Sequence, residues 1–129
     1  MKKKLVCLLM ALLLFTVHSS TVLAATTFNP KSASGYGPAP SNKEYRCWLG
    51  GTSERVAADM IFADENNTIS VCLSAYMRRP NNPLYVGIIT VYGFGSAEAY
   101  LDSIANWPIT SATGDYRIRA SVVESLSIR

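Results

Sequence analysis

The chain has 129 residues, 49% hydrophobic and 16% charged, with a formal charge of +3 at pH 7, which bounds it to one domain. Met1–Lys4 carries three lysines, Leu5–Val17 is an uncharged apolar run and Val22-Leu23-Ala24 offers a cleavage site, the form of a secretory signal peptide over 1–24 and too short a run to span a bilayer. Setting that leader aside removes His18 and Cys7 and leaves nine basic against nine acidic side chains, which argues against a basic nucleic-acid binder, a histidine catalyst and a multi-cysteine zinc site.

The mature protein is therefore expected to be secreted or periplasmic. Cys7 precedes the apolar core of the leader instead of following it, so no lipid anchor and no stable membrane attachment are expected. Ala25–Glu44 contains Pro30, Pro38, Pro40, Gly35 and Gly37 with few large apolar residues, and reads as a flexible segment over 25–44 that cannot offset the entropy of ordering. The globular domain is then 45–129.

Tyr45–Leu49 reads as a short strand ending at Gly50-Gly51. Val56, Ala58, Met60 and Phe62 recur at a period of two, and Ile69, Val71, Leu73, Ala75 and Met77 alternate with polar residues, so Val56–Met77 reads as a hairpin turning at Asp64–Thr68. Arg78–Pro83 is a proline-stiffened loop. Leu84–Tyr92 is apolar on both faces and β-branched, the pattern of a central strand covered on both sides. After Gly93-Phe94-Gly95, Ser96 is placed to cap a helix in which Ala97, Tyr100, Leu101, Ile104 and Ala105 form one stripe, with Glu98 and Asp102 opposite. Tyr116–Ile128 alternates as one long final strand, with Glu124 interrupting the apolar side as at a bulge or a sheet edge. The predicted class is α+β: a small antiparallel sheet, barrel-like or OB-like, with one packed helix. The element order over Val56–Ile128, a meander, a helix and a long strand after a Thr-Gly turn, resembles that of the OB-fold binding subunits of bacterial toxins. The resemblance implies an oligomeric binding subunit and carries no motif.

Cys47 and Cys72 are the two cysteines left after the leader, and an oxidising compartment favours their pairing. The bridge would close a loop of about 25 residues and remove on the order of 3.5 kcal/mol of denatured-state freedom. The faces disagree, however: Cys47 shares the face of Tyr45 and Leu49, whereas Cys72 lies on the polar face of its strand.

No catalytic residue, metal site or cofactor motif is expected. Lys31 and Lys43 both fall in 25–44, and Gly93-Phe94-Gly95 lacks the remainder of a phosphate loop. A carboxylate-dependent hydrolase would need two of Glu54, Asp59, Glu98, Asp102 and Glu124 facing each other in a cleft. Tyr76, Arg78, Arg79 and Tyr85 frame the stiff loop, and Tyr and Arg are enriched in binding hot spots while aromatic faces stack on sugars. The sequence thus reads as an exported non-enzymatic binding domain for a protein or a glycan. A periplasmic inhibitor or immunity protein is one alternative, and a homo-oligomer assembled through an exposed strand edge is another.

Overall fold

Apolar and polar side chains alternate at a period of two through nearly the whole of the chain beyond residue 44, and alternation of that kind is satisfied by sheets with one face on a core. The computed structural model describes residues 25–80 and 84–129 and contains eight strands and, among the described residues, no helix: β1 Lys31–Tyr36, β2 Glu44–Gly51, β3 Arg55–Phe62, β4 Thr68–Arg78, β5 Leu84–Phe94, β6 Ser96–Asp102, β7 Ile109–Ile118 and β8 Ser121–Ile128. They form two four-stranded antiparallel sheets, β1-β2-β3-β6 and β5-β4-β7-β8. The proposed signal peptide lies outside the described residues.

The sheets pack as a sandwich. Leu49, Val56, Met60 and Phe62 of the first sheet face Ile69, Leu73, Tyr116 and Ile118 of the second, all buried. β5 and β6 run together along one side of the sandwich, and β1 and β8 approach each other along the opposite side. Polar ties join the two sheets: the Tyr45 hydroxyl on β2 donates to Glu124 Oε1 on β8 at 3.0 Å, and the Tyr116 hydroxyl on β7 donates to the Trp48 carbonyl on β2 at 2.6 Å. Gly114 makes room for the second, since a Cβ there would stand 2.8 Å from the Tyr116 hydroxyl.

The α+β expectation is corrected to all-β. The predicted helix is β6, paired along β3 with Ala97 opposite Met60, Ala99 opposite Ala58 and Leu101 opposite Val56. The segment satisfies both periods, with Ala97, Ala99 and Leu101 at two and Ala97, Tyr100, Leu101 and Ile104 at 3.6, and the unpaired side of β3 decides between them. The OB-like order falls with the helix. Val56–Met77 is not a hairpin either, because β3 and β4 belong to different sheets and Asp64–Thr68 carries the chain between layers. The long final strand is a hairpin, β7 and β8, turned at Arg119, whose φ is 56°. The interruption at Glu124 does coincide with a register shift on the edge strand β8, where Tyr116 pairs Glu124 but Arg117 pairs Val122.

Two further expectations change. Residues 25–44 are not a free tether: β1 pairs with β2 from Lys31–Leu49 to Tyr36–Glu44, and Phe28 is buried in the core. β5 is not central. Among the described residues it is hydrogen-bonded only to β4, so one side of the strand is an edge. Tyr85, Ile89 and Val91 lean on the core, while Leu84, Val86, Ile88, Tyr92 and Phe94 point outward and are exposed.

Candidate functional site

The outer face of the first sheet carries the densest set of functional side chains. Because β2 buries Tyr45, Cys47 and Leu49, the alternating Glu44, Arg46 and Trp48 must point outward. Register then aligns them with their neighbours. Trp48 stands opposite Ser32 on β1 and Asp59 on β3, and Asp59 stands opposite Glu98 on β6. Ser32, Trp48, Asp59 and Glu98 thus form one row straight across four strands.

The Trp48 ring reaches along β2 to Gly50, with its Cζ2–Cη2 edge nearest that residue. A Cβ at position 50 would fall 2.4 Å from the indole Cζ2, so only glycine lets the ring rest there. Trp48 is 38% exposed, and it borders an open depression of about 590 Å³ also lined by Ser34, Glu44, Arg46, Asp59 and Ile61. On the other flank, Ala57 opposes Tyr100. The Tyr100 ring is exposed and carries the Arg55 guanidinium 4.8 Å from its centroid. Arg55 is held in turn by Asp102, with Nη2 2.8 Å from Oδ2, which lowers the Asp102 carboxyl below its usual range. β2 and β6 are two strand spacings apart, about 10 Å, so indole and phenol flank a small-residue gap bordered by two carboxylates.

The carboxylates are not a comfortable pair. Like charges directly opposite on a sheet repel. Partial burial, and after it the Glu98 charge, raise the Asp59 carboxyl above its ordinary value. Asp59 lines the depression, and Glu98 stands opposite it on the same sheet face. The other carboxylates considered are dispersed. Glu124 accepts the Tyr45 hydroxyl at 3.0 Å, Asp102 is bound to Arg55, and Glu54 lies exposed in the β2–β3 turn. Among the described residues no three His, Cys, Asp or Glu side chains converge.

The predicted disulfide is corrected: Cys47 and Cys72 are both free. Cys47 points into the core from the first sheet, and Cys72 points outward from the second, between Thr90 and Asp115. Sheets about 10 Å apart with one thiol facing away cannot bring the two Cα atoms within the roughly 7 Å a bridge needs. Burial, then the charges of Glu124 and Asp59, push the Cys47 thiol up to about 12, so it is no nucleophile at neutral pH.

The predicted binding quartet is divided. Tyr76 and Arg78 lie on the outer face of the second sheet, opposite Val86 and Leu84. Arg79 instead sits 4.4 Å from the Trp107 ring centroid and 5.0 Å from that of Tyr85, and the two rings are themselves 5.6 Å apart. Arg79 and Tyr85 therefore close one end of the sandwich. Residues 81–83 of the loop lie outside the described residues. Reading the sequence by loops overlooked Trp48 and Arg46; the available signal was the alternation Glu44-Tyr45-Arg46-Cys47-Trp48-Leu49 followed by two glycines.

No protein-family model, curated protein or solved structure matches the chain, so its functional reading rests on this face and on its own residues.

Proposed function

We propose that the protein is an exported, non-enzymatic carbohydrate-binding domain whose recognition surface is the outer face of β1-β2-β3-β6. The observation that carries this reading is the partly exposed Trp48 indole, seated against Gly50 with Asp59 and Glu98 in line beside it. A sugar ring offers polarised C–H groups on its face and hydroxyls on its rim. An immobilised indole suits the first through stacking, and carboxylates with Arg46 suit the second as acceptors and a donor. A β-sheet holds these groups in place before the ligand arrives, so little entropy is lost on binding. Like-charge opposition at Asp59 and Glu98 is a standing cost that hydroxyl donors from a ligand relieve. Of the two ligand classes the sequence left open, a protein docking on the Tyr76–Tyr85 loop is the weaker, because Arg79 is already engaged by Tyr85 and Trp107.

Screening the protein against an array of soluble oligosaccharides, with binding followed in the parent through tryptophan fluorescence and in parent and variant alike by titration calorimetry, tests the reading. Trp48→Ala is expected to weaken binding about tenfold or more, the equivalent of about 1.4 kcal/mol, while leaving the melting temperature nearly unchanged. Absence of any saccharide that perturbs Trp48 emission overturns the proposal.

A further inference from the structure

The second sheet has a feature that sugar binding does not use. β5 is an edge strand of eleven residues, Leu-Tyr-Val-Gly-Ile-Ile-Thr-Val-Tyr-Gly-Phe, with no charge and no proline. Among the described residues its backbone makes no hydrogen bond beyond its pairing with β4. Its outer row is apolar and open, with Ile88 65% and Tyr92 71% exposed. Edges of this length are ordinarily blunted by a lysine, a proline, a bulge or a hydrogen-bonded neighbour; β5 carries no lysine or proline and pairs with β4 without a bulge, and β6, which runs beside it, forms no backbone hydrogen bond to it among the described residues.

From this we infer that β5 pairs with β5 of a second copy, joining the β5-β4-β7-β8 sheets of two molecules into one eight-stranded sheet across a two-fold axis. Antiparallel pairing centred on Ile89 matches all eleven residues. On the outer face it sets Leu84 of one copy against Phe94 of the other, Val86 against Tyr92, and Ile88 against Thr90. On the inner face it sets Tyr85 against Gly93 and Gly87 against Val91, a large residue against a glycine each time. The sequence of the strand is thus complementary to its own reversal, the condition for an isologous interface. β6 runs beside β5 along the same side of the sandwich and extends the contact. With β5 about 36 Å long and the wall about 20 Å tall, each copy contributes about 700 Å², or about 1,400 Å² in total, within the roughly 1,200–2,000 Å² of a stable interface. The pairing is isologous and uses the same edge of both molecules, so association closes at two.

Sedimentation equilibrium of the purified protein over about 10–200 µM tests this. The expected result is a dimer, with Ile88→Lys and Tyr92→Lys each raising the dissociation constant at least about 100-fold, while Ile61→Lys, exposed on the other sheet, leaves it unchanged. A monomer across the range, lysine variants that still dimerise, or growth beyond two copies overturns the proposal. Should a lysine variant misfold, hydrogen exchange of the unmodified protein decides: amides of Leu84–Phe94 must become more protected as concentration rises, and concentration-independent exchange overturns the pairing.

Discussion

Asp59 is where recognition and stability pull in opposite directions. Its carboxyl is raised by partial burial and by Glu98, so over the interval between its unfolded and folded pKa values the native state holds more protons than the unfolded chain. Stability from this group therefore falls as pH rises through that interval, the reverse of a salt-bridged carboxylate, and neutral pH is where it destabilises most. Asp59→Asn removes the charge and is expected to melt higher than the parent at pH 7. The gap should narrow as pH is lowered through that interval and the parent's carboxyl takes up its proton. Paired thermal melts from pH 7 to 4 measure it, with the other carboxylates cancelling in the difference. The same variant loses a hydroxyl acceptor, so oligosaccharide affinity should drop while stability increases, the trade expected where a strained arrangement serves binding.

At the scale of elements, the β4–β5 end is held by aromatic and cationic packing. Arg79 lies between Trp107 and Tyr85, and Trp107 comes from the short β-bridged turn Ile104–Trp107 that leads into β7. One side chain therefore ties the end of β4, the start of β5 and the β6–β7 connection. Arg79→Ala should lower stability by about 1–2 kcal/mol through the loss of two cation–π contacts, whereas Arg78→Ala, exposed on the outer face, should stay within about 0.5 kcal/mol. Urea unfolding of the two variants separates them. The pair looks interchangeable in sequence. The strand parity, inward for 79 and outward for 78, distinguishes them, and parity counts only once the end of β4 is known.

For the whole molecule, the two proposals combine in a measurable way. A two-fold axis perpendicular to the paired sheets turns both copies the same way up, so a β5-paired dimer presents both Trp48 faces on one side. Binding to an immobilised polysaccharide should then exceed single-site affinity by about 100-fold or more through avidity. Ile88→Lys should lose that gain yet bind a soluble oligosaccharide as the parent does, while Trp48→Ala should lose both. Surface plasmon resonance on a polysaccharide layer, beside solution titration, reads the two quantities separately, so failure of the edge pairing and failure of the sugar site leave different signatures.

Local alternation made much of this molecule legible from its sequence. The inward positions of β2, β3 and β4, the inward Tyr116, Ile118, Leu126 and Ile128 of β7 and β8, the polar turn at Asp64–Thr68 and the irregularity at Glu124 all follow from side-chain parity and turn chemistry, which are properties of neighbouring residues. Parity also placed Cys47 and Cys72 on conflicting faces, and the conflict was physical. Sheet membership was decided elsewhere. Whether β3 returns to β4 or crosses from one layer to the other, whether β5 has one neighbour or two, and whether Ala97–Leu101 coils or extends depend on which backbone edges remain unpaired after distant strands have assembled. The site shares that dependence. Ser32, Trp48, Asp59 and Glu98 are spread over 67 positions of chain and meet only because β1, β2, β3 and β6 align in register. A hydrophobic pattern states which face of a strand is buried, but hydrogen bonding across the sheet, a non-local interaction, states beside whom.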